Sequence, residues 1–345
     1  MADKTRVQGL LKDITSSMRA EKRRANAIKA APAENRYKDP IRALAKELHP
    51  DYTDVIVANV TDVSPTARQI VFERENHGKF PPFLAGMYAT VEMQIGETRT
   101  SRPYSISSAP YQARQEDHPS LAITVRNGKP GEGFAANWLY ENTRPGDKFR
   151  IHVPYGFFYY EPLRDSKNIV ALAGGSGITP FYSMAQEIAD GKQDTNLTIL
   201  YGSVSHDDII LEKELKKICN RCFKVRFINV ISGEGAELQD GDEKGFISAE
   251  IIRKYMGEDP TFFVCGPLAM YNFVAEELKR LGVPQRRIRM ETFGAPRNIT
   301  ASAGWVITAG KSQEGPAVGY PGDAGKTYEL KVMRGIHEEI GRAHV

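Results

Sequence analysis

Within the run Arg102-Pro103-Tyr104-Ser105, continued by Ile106-Ser107-Ser108-Ala109-Pro110, three side chains carry chemistry that one flat, phosphorylated ligand would use together. Arginine is a permanently charged fork of donors matched to phosphate, and tyrosine offers a face on which an aromatic system can lie. Serine adds a hydroxyl for a ring nitrogen. On an extended strand the two-residue period sends Arg102 and Tyr104 to the same face. Such a set suits a flavin nucleotide, although an isolated pattern of this kind is also met as a half-buried strand aromatic beside a solvated charge.

Three further stretches bear on ligands. Gly131-Glu132-Gly133 precedes a helical run, Phe134 to Leu139, and a glycine loop at a helix start offers unpaired amides and a positive dipole end to a diphosphate. Asn168 to Ala173 reads as a buried strand that runs directly into Gly174-Gly175-Ser176-Gly177-Ile178-Thr179-Pro180. There Thr179 is expected as the N-cap and Pro180 as the first helical residue, with backbone amides turned toward a phosphate. Cys265-Gly266-Pro267 closes another apolar run, Thr261 to Cys265, whose cysteine also reads as a small buried hydrophobe.

These stretches need a scaffold. Short alternating runs at Val55 to Val60, Arg68 to Phe72, Tyr88 to Ile95, Leu121 to Arg126 and Lys148 to Val153 are separated by turn signals such as Asn127-Gly128, and they predict a small closed antiparallel β-barrel. After it, strands and helices alternate: strand Leu197 to Ser203, helix Leu211 to Ile218, strand Phe223 to Val230, helix Ser248 to Tyr255, and helix Leu268 to Leu281 after Cys265. That order predicts a mainly parallel sheet with helices on both faces, binding its ligand at the carboxyl ends of the strands.

The four motifs, in order, are Arg102-Pro103-Tyr104-Ser105, Gly174 to Pro180, Tyr201-Gly202-Ser203, and Cys265-Gly266-Pro267 with Met270 beyond. In that order and spacing, over roughly residues 52 to 294, the chain resembles the ferredoxin reductase family of flavoprotein oxidoreductases. The resemblance implies an FAD-binding antiparallel β-barrel followed by a nicotinamide-nucleotide α/β domain. It places Arg102 on a flavin phosphate, with Pro103 between it and Tyr104 on the isoalloxazine. Ser105 falls near the reactive nitrogen, and Gly131 and Gly133 by the flavin's diphosphate. It puts Gly174, Gly175, Gly177, Thr179 and Pro180 around the nicotinamide nucleotide's diphosphate, with Gly202 and Ser203 beside them. Cys265, Gly266 and Pro267 come next to the nicotinamide, which makes Ser105 and Cys265 the catalytic candidates. The departure is Ala135 or Ala136, where the family has serine or threonine. No triad or carboxylate pair is needed, because hydride transfer is mainly positioning.

The implied activity is an NAD(P)H-dependent reductase passing electrons to an iron–sulfur or other acceptor, a ferredoxin-like protein or domain. A reductase of diffusible flavins or quinones and a non-catalytic flavin-binding subunit are the alternatives. NADH is expected over NADPH, because Val204 stands where an arginine would meet a 2′-phosphate and Asp207 and Asp208 follow.

The 345 residues, 41% hydrophobic and 26% charged, make an ordinary globular chain with room for two domains and appendages. No apolar run reaches a membrane span and no signal-peptide core is present, so a cytoplasmic protein is expected. Nothing points to a nucleic-acid partner. The basic excess sits in residues 1–50, with 12 Lys/Arg against 6 Asp/Glu. This segment reads as helical, with Val7, Leu10, Leu11, Ile14 and Met18 on one stripe and Lys22, Arg23 and Arg24 after it. It is expected to pack on the body with its polar face wet, an acidic partner or an anionic membrane being the alternative. The barrel is expected over 51–160 and the nucleotide domain over 161–294. A Gly/Pro-rich linker over 295–325 then leads to residues 326–345, which begin with one strand and its turn over 326–335 and resemble the start of a truncated plant-type ferredoxin domain. The chain's three cysteines cannot supply a [2Fe-2S] cluster, which is expected only in the full-length protein, and no metal ligands are nominated. Cys219 and Cys222 form a lone CxxC, expected as an ordinary connection between a helix and a strand.

Overall fold

The computed structural model describes residues 2–30, 39–128, 133–291, 327–334 and 337–344. Its first sheet contains β1 (Tyr52–Ser64), β2 (Ala67–Arg74), β3 (Tyr88–Ile95), β4 (Thr98–Ser105), β5 (Ser120–Arg126) and β6 (Lys148–Tyr155). The order is β4-β3-β6-β1-β2-β5, with every neighbour antiparallel. Period-two alternation turns Val55, Val57, Ile70, Phe72, Val91, Leu121, Ile123 and Ile151 inward, and that shared core curls the sheet. The end strands β4 and β5 meet through the isolated bridge Ile106↔Ile123. The barrel is thus joined at one bridge rather than by a continuous ladder, which leaves β4 with a free edge. Helix α3 (Phe134–Asn142) packs Ala135 and Leu139 into the same core.

The second sheet is wholly parallel, in the order β10-β9-β8-β7-β11-β12. Its strands are β7 (Asn168–Gly174), β8 (Asn196–Ser203), β9 (Val225–Ile231), β10 (Glu243–Lys244), β11 (Thr261–Cys265) and β12 (Ile288–Glu291). Helices α4 (Thr179–Ala189) and α5 (Glu212–Arg221) cover one face. Helices α6 (Ala249–Tyr255) and α7 (Leu268–Arg280) cover the other. Burial on both faces explains the unbroken apolar runs of β7 and β11. The first strand, β7, lies between β8 and β11, so the connections depart in opposite directions there and leave a crevice at its carboxyl end.

The two sheets are closely joined. Ser183 Oγ of α4 donates to Ser108 O at 2.7 Å, and Gln186 Nε2 donates to Ser107 O at 2.9 Å. Phe158, just past β6, packs edge-on to Phe181 and Phe263, at 5.7 and 5.2 Å between centroids. A glycine is required at Gly86, whose φ is +106° and where a Cβ would stand 1.9 Å from Phe158 O.

The leader is helical as expected: α1 (Ala2–Ala30), then α2 (Pro40–Leu48), which Asp39 caps by accepting from the amides of Ile41 and Arg42. Over the half of α1 whose burial is described, Ser16 to Ala30, every residue is exposed. At the other end β13 (Thr327–Arg334) and β14 (His337–His344) form an antiparallel pair, while the linker expected over 295–325 lies outside the described residues. The CxxC is not in a connection: Cys219 is in the last turn of α5 and Cys222 caps it, both half-buried against the core. Among the described residues no helix is long and apolar enough to cross a membrane, and no cluster of three His, Cys, Asp or Glu is placed to hold a metal.

Candidate functional site

Strand β4 presents Arg102 and Tyr104 on one face, across from Val91 and Ala89 of β3. The Arg102 guanidinium turns back on Thr100 Oγ1 and Ser101 O, both at 2.7 Å, and makes no ion pair with a described residue. Its charge is therefore available to an anion. Pro103 breaks no ladder because β4 has its free edge there. Burial pushes the Tyr104 phenol up to about 12, so it stays neutral and offers a ring rather than a proton. Ser105 is buried, yet its Oγ has no hydrogen-bond partner among the described residues. A buried hydroxyl left unpaired costs about 1–3 kcal/mol, and a bound ring nitrogen would remove that cost.

At the start of α3, Gly133 adopts φ +66° and no side chain of the described residues caps the helix, so its first amides are open to an anion on that side. With Ala135 and Ala136 in the first turn, any contact there comes from the backbone. Gly131 lies outside the described residues.

The second motif sits at the carboxyl end of β7. Gly175 has φ +53°, and at Gly177 a Cβ would stand 2.1 Å from Cys265 O, so only glycine lets this turn press against the end of β11. The expectation for Thr179 is corrected. Gly175–Ile178 is a 3₁₀ turn that runs straight into α4, so Ile178 is the N-cap, Thr179 the first helical residue and Pro180 the second. The Thr179 hydroxyl donates back to Ser176 O at 2.9 Å and caps no helix amide. Gly202 is the register partner of Gly174, and with Ser203 it lines a cavity of about 440 Å³ that also touches Gly175, Pro267 and Met270. Phe246 and Phe273, 5.8 Å apart, form its apolar wall.

The two motifs meet through β11 and β12. Cys265 is fully buried, and burial pushes its thiol upward, so it is a neutral neighbour and not a thiolate. Its register partner is Glu291. Tyr271 OH accepts from Gly266 N at 3.1 Å and donates to Glu291 O. Glu291 has one carboxylate oxygen buried without a partner among the described residues, and burial raises its carboxyl to about 7. Its other oxygen lies 3.6 Å from where a Cβ on Gly156 would be, with the Tyr88 ring at 3.2 Å from the same point. Tyr88 is in turn the register partner of Ser105. The path Ser105, Tyr88, Gly156, Glu291, Cys265 thus crosses from one sheet to the other.

Three features carry no signal in the sequence. Glu291 is significant only through its pairing with Cys265. Arg126, at the end of β5, lines the cavity of the other unit. The Phe246 and Phe273 pair comes from segments 27 positions apart, with no shared period to mark them.

Comparison with known proteins bears on this arrangement. The family model described as the oxidoreductase NAD-binding domain matches residues 171–276. A flavohemoprotein of Rhodopirellula baltica is 30% identical over 240 residues, covering 66% of this chain and 57% of that protein. The glycine betaine monooxygenase reductase subunit of Chromohalobacter salexigens is 28% identical over 224 residues, covering 64% and 58%. The chain therefore spans under two thirds of the length of these relatives. Among solved structures, the FAD/NAD-binding domain of a Vibrio cholerae nitric oxide dioxygenase superposes with a TM-score of 0.62 at 22% identity, covering 71% of this chain and all of that one.

Proposed function

Because the chain belongs to the ferredoxin reductase-type family of FAD- and NAD-binding oxidoreductases, we propose that it is an NADH-dependent flavoprotein reductase that hands electrons to a ferredoxin-like protein or domain. The observation that carries this reading is the unpartnered, buried Ser105 hydroxyl. It lies beside Tyr104, on a segment whose carbonyls are bonded to the helix that the Gly174–Thr179 loop begins. The residues fit FAD: Arg102 and the open amides after Gly133 are two separate anion sites, and a flavin with one phosphate would leave the second idle.

Bound FAD would supply the chemistry, taking up a hydride and releasing electrons singly. The protein's part is orientation and electrostatics. Arg102 binds phosphate, Tyr104 sets the plane of the ring, and Ser105 Oγ holds it in register. On the other side the amides of Gly174 to Gly177 and the Arg126 cation bind the nucleotide's diphosphate. Phe246 and Phe273 shelter its apolar part. Cys265, protonated and packed, closes the junction against water. Glu291, with its carboxyl near neutrality, can hold or give up a proton at its free oxygen. Holding two flat rings in contact is worth several orders of magnitude in rate without any strong base.

The preference for NADH rests on Val204 and the exposed Asp207. Asp208 adds little to it, because its charge is engaged by Arg126. We further assign residues 51–160 to flavin binding and 161–294 to nucleotide binding, place the protein in the cytoplasm, and expect an iron–sulfur centre in the full-length protein.

The purified chain should be yellow and release FAD on extraction. With ferricyanide as acceptor it should give a higher kcat/KM for NADH than for NADPH. Recovery of FMN, or of no flavin, would overturn the assignment, and a higher value for NADPH would overturn the nucleotide preference.

A further inference from the structure

Two groups of the barrel converge on one carboxylate of the other unit. Thr66, in the turn between β1 and β2, donates its hydroxyl to Asp208 Oδ1 at 2.6 Å. The Arg126 guanidinium pairs through Nη2 with Asp208 Oδ2. Asp208 ends the short turn His206–Asp208 that follows β8, and this turn is tied down from its far side. His206 Nε2 lies 2.7 Å from Asp242 Oδ2, and Asp242 accepts further bonds from Asn229 Nδ2 and Gln239 N. A backbone bond from Leu211 N to Val63 O, at 3.1 Å, adds a second tie to the barrel.

Asp208 is thus a stationary acceptor, and what it holds in place is Arg126. Arg126 Nη1 lies 2.9 Å from the point where a Cβ on Gly175 would stand, so the guanidinium runs along the glycine loop in the cavity wall. Both side chains are about one third exposed, at 35% and 29%, which leaves the pair accessible from the cavity. A guanidinium carries five N–H donors in a rigid fork. With Nη2 committed to Asp208, Nη1 still faces the loop.

We propose that Asp208 is a positioning residue for nucleotide binding: with Thr66 it holds the barrel's Arg126 over Gly175, so that both units grip the nucleotide's diphosphate at once. This rests on the nucleotide site proposed above. A freely rotating arginine would lose its rotamer freedom on meeting the phosphate, whereas one already restrained loses little. Nucleotide binding thereby becomes dependent on the register between the two sheets.

The test is isothermal titration of the flavin-loaded protein with ADP-ribose, which carries the diphosphate, and with adenosine, which does not. Asp208→Asn should weaken ADP-ribose about tenfold and leave adenosine unchanged, since only a charge-assisted contact is loosened. Thr66→Val, which removes a single hydroxyl, should shift it about threefold in the same direction and serves if Asp208→Asn does not fold. In turnover the Asp208→Asn effect should fall on KM for NADH and not on kcat. Equal ADP-ribose affinity in variant and wild type would overturn the proposal. So would an equal loss for adenosine, which would mean a general distortion of the cavity. Wild-type protein that binds neither compound would sink the nucleotide site itself, and this inference with it.

Discussion

Glu291 has a carboxyl whose environment decides its charge. Burial lifts it from 4.5 to about 7, and no cation or donor among the described residues stabilises its free oxygen. The folded state therefore holds the proton more tightly than the unfolded chain does. Stability from that proton is fully present below about pH 4.5, and it is lost as pH rises through about 7. The limiting loss is on the order of 3 kcal/mol, since each factor of ten in proton affinity is worth about 1.4 kcal/mol. Glu291→Gln keeps the shape and never ionises. Thermal melts of the flavin-loaded protein should show the variant several degrees more stable at pH 8.5, with the gap closing toward pH 5. Parallel curves for the two proteins would show that Glu291 is not held near neutrality. The neighbouring Cys265 behaves in a related way, since its burial likewise favours the neutral form.

At the level of elements, the junction depends on how closely the turn Gly175–Ile178 approaches the end of β11. A methyl at Gly177 would meet the Cys265 carbonyl at 2.1 Å and the Gly266 amide at 2.7 Å, both backbone atoms with nowhere to move. Gly177→Ala should therefore push the turn away from β11, costing about 1–3 kcal/mol of stability and most of the NADH affinity while FAD is retained. Urea unfolding and titration with NAD⁺ would measure the two effects, and a variant that binds NAD⁺ like wild type would refute the tight-approach argument. The same turn shows what a sequence can and cannot reveal. The strand before it and the glycines within it are legible because a buried apolar run and glycine spacing are local signals. The cap falls at Ile178 rather than Thr179 because the 3₁₀ turn adds helical geometry before the α-helix begins, and no residue type announces that. The short β10 and β12, two and four residues long, leave too few positions for a period to stand out. β12 matters most among these, since it brings Glu291 to Cys265. Arg102, Tyr104 and Ser105 are legible as neighbours in one strand, whereas Arg126 lines the cavity from another strand and pairs there with Asp208, 82 positions away.

Across the whole molecule, the two proposed sites can act as one reaction centre only if the barrel and the parallel sheet keep their register. That register passes through α4: its first turn lies under the glycine loop, and two turns later Gln186 holds the carbonyl of Ser107, two residues beyond Ser105. Gln186 also bonds Tyr182 O, and both Gln186 and Ser107 are buried, so water cannot take over the lost contact. Gln186→Leu is close in volume and lacks the amide, leaving a buried carbonyl unpaired at about 1–3 kcal/mol. That penalty can be relieved by a small slip of the Ser105–Ala109 segment relative to α4. Neither ligand's own contacts would change, but the distance between the rings would. Because misplacement by about 1 Å can cost on the order of a hundredfold in rate, even a fraction of that shift should be measurable. Stopped-flow reduction at saturating NADH should therefore slow about tenfold in Gln186→Leu, with FAD content and the affinity for NADH within about twofold of wild type. An unchanged rate would show that the register is held elsewhere, by the Phe158 packing or by Ser183. A loss of FAD instead would show that α4 supports the flavin strand itself rather than its alignment with the nucleotide.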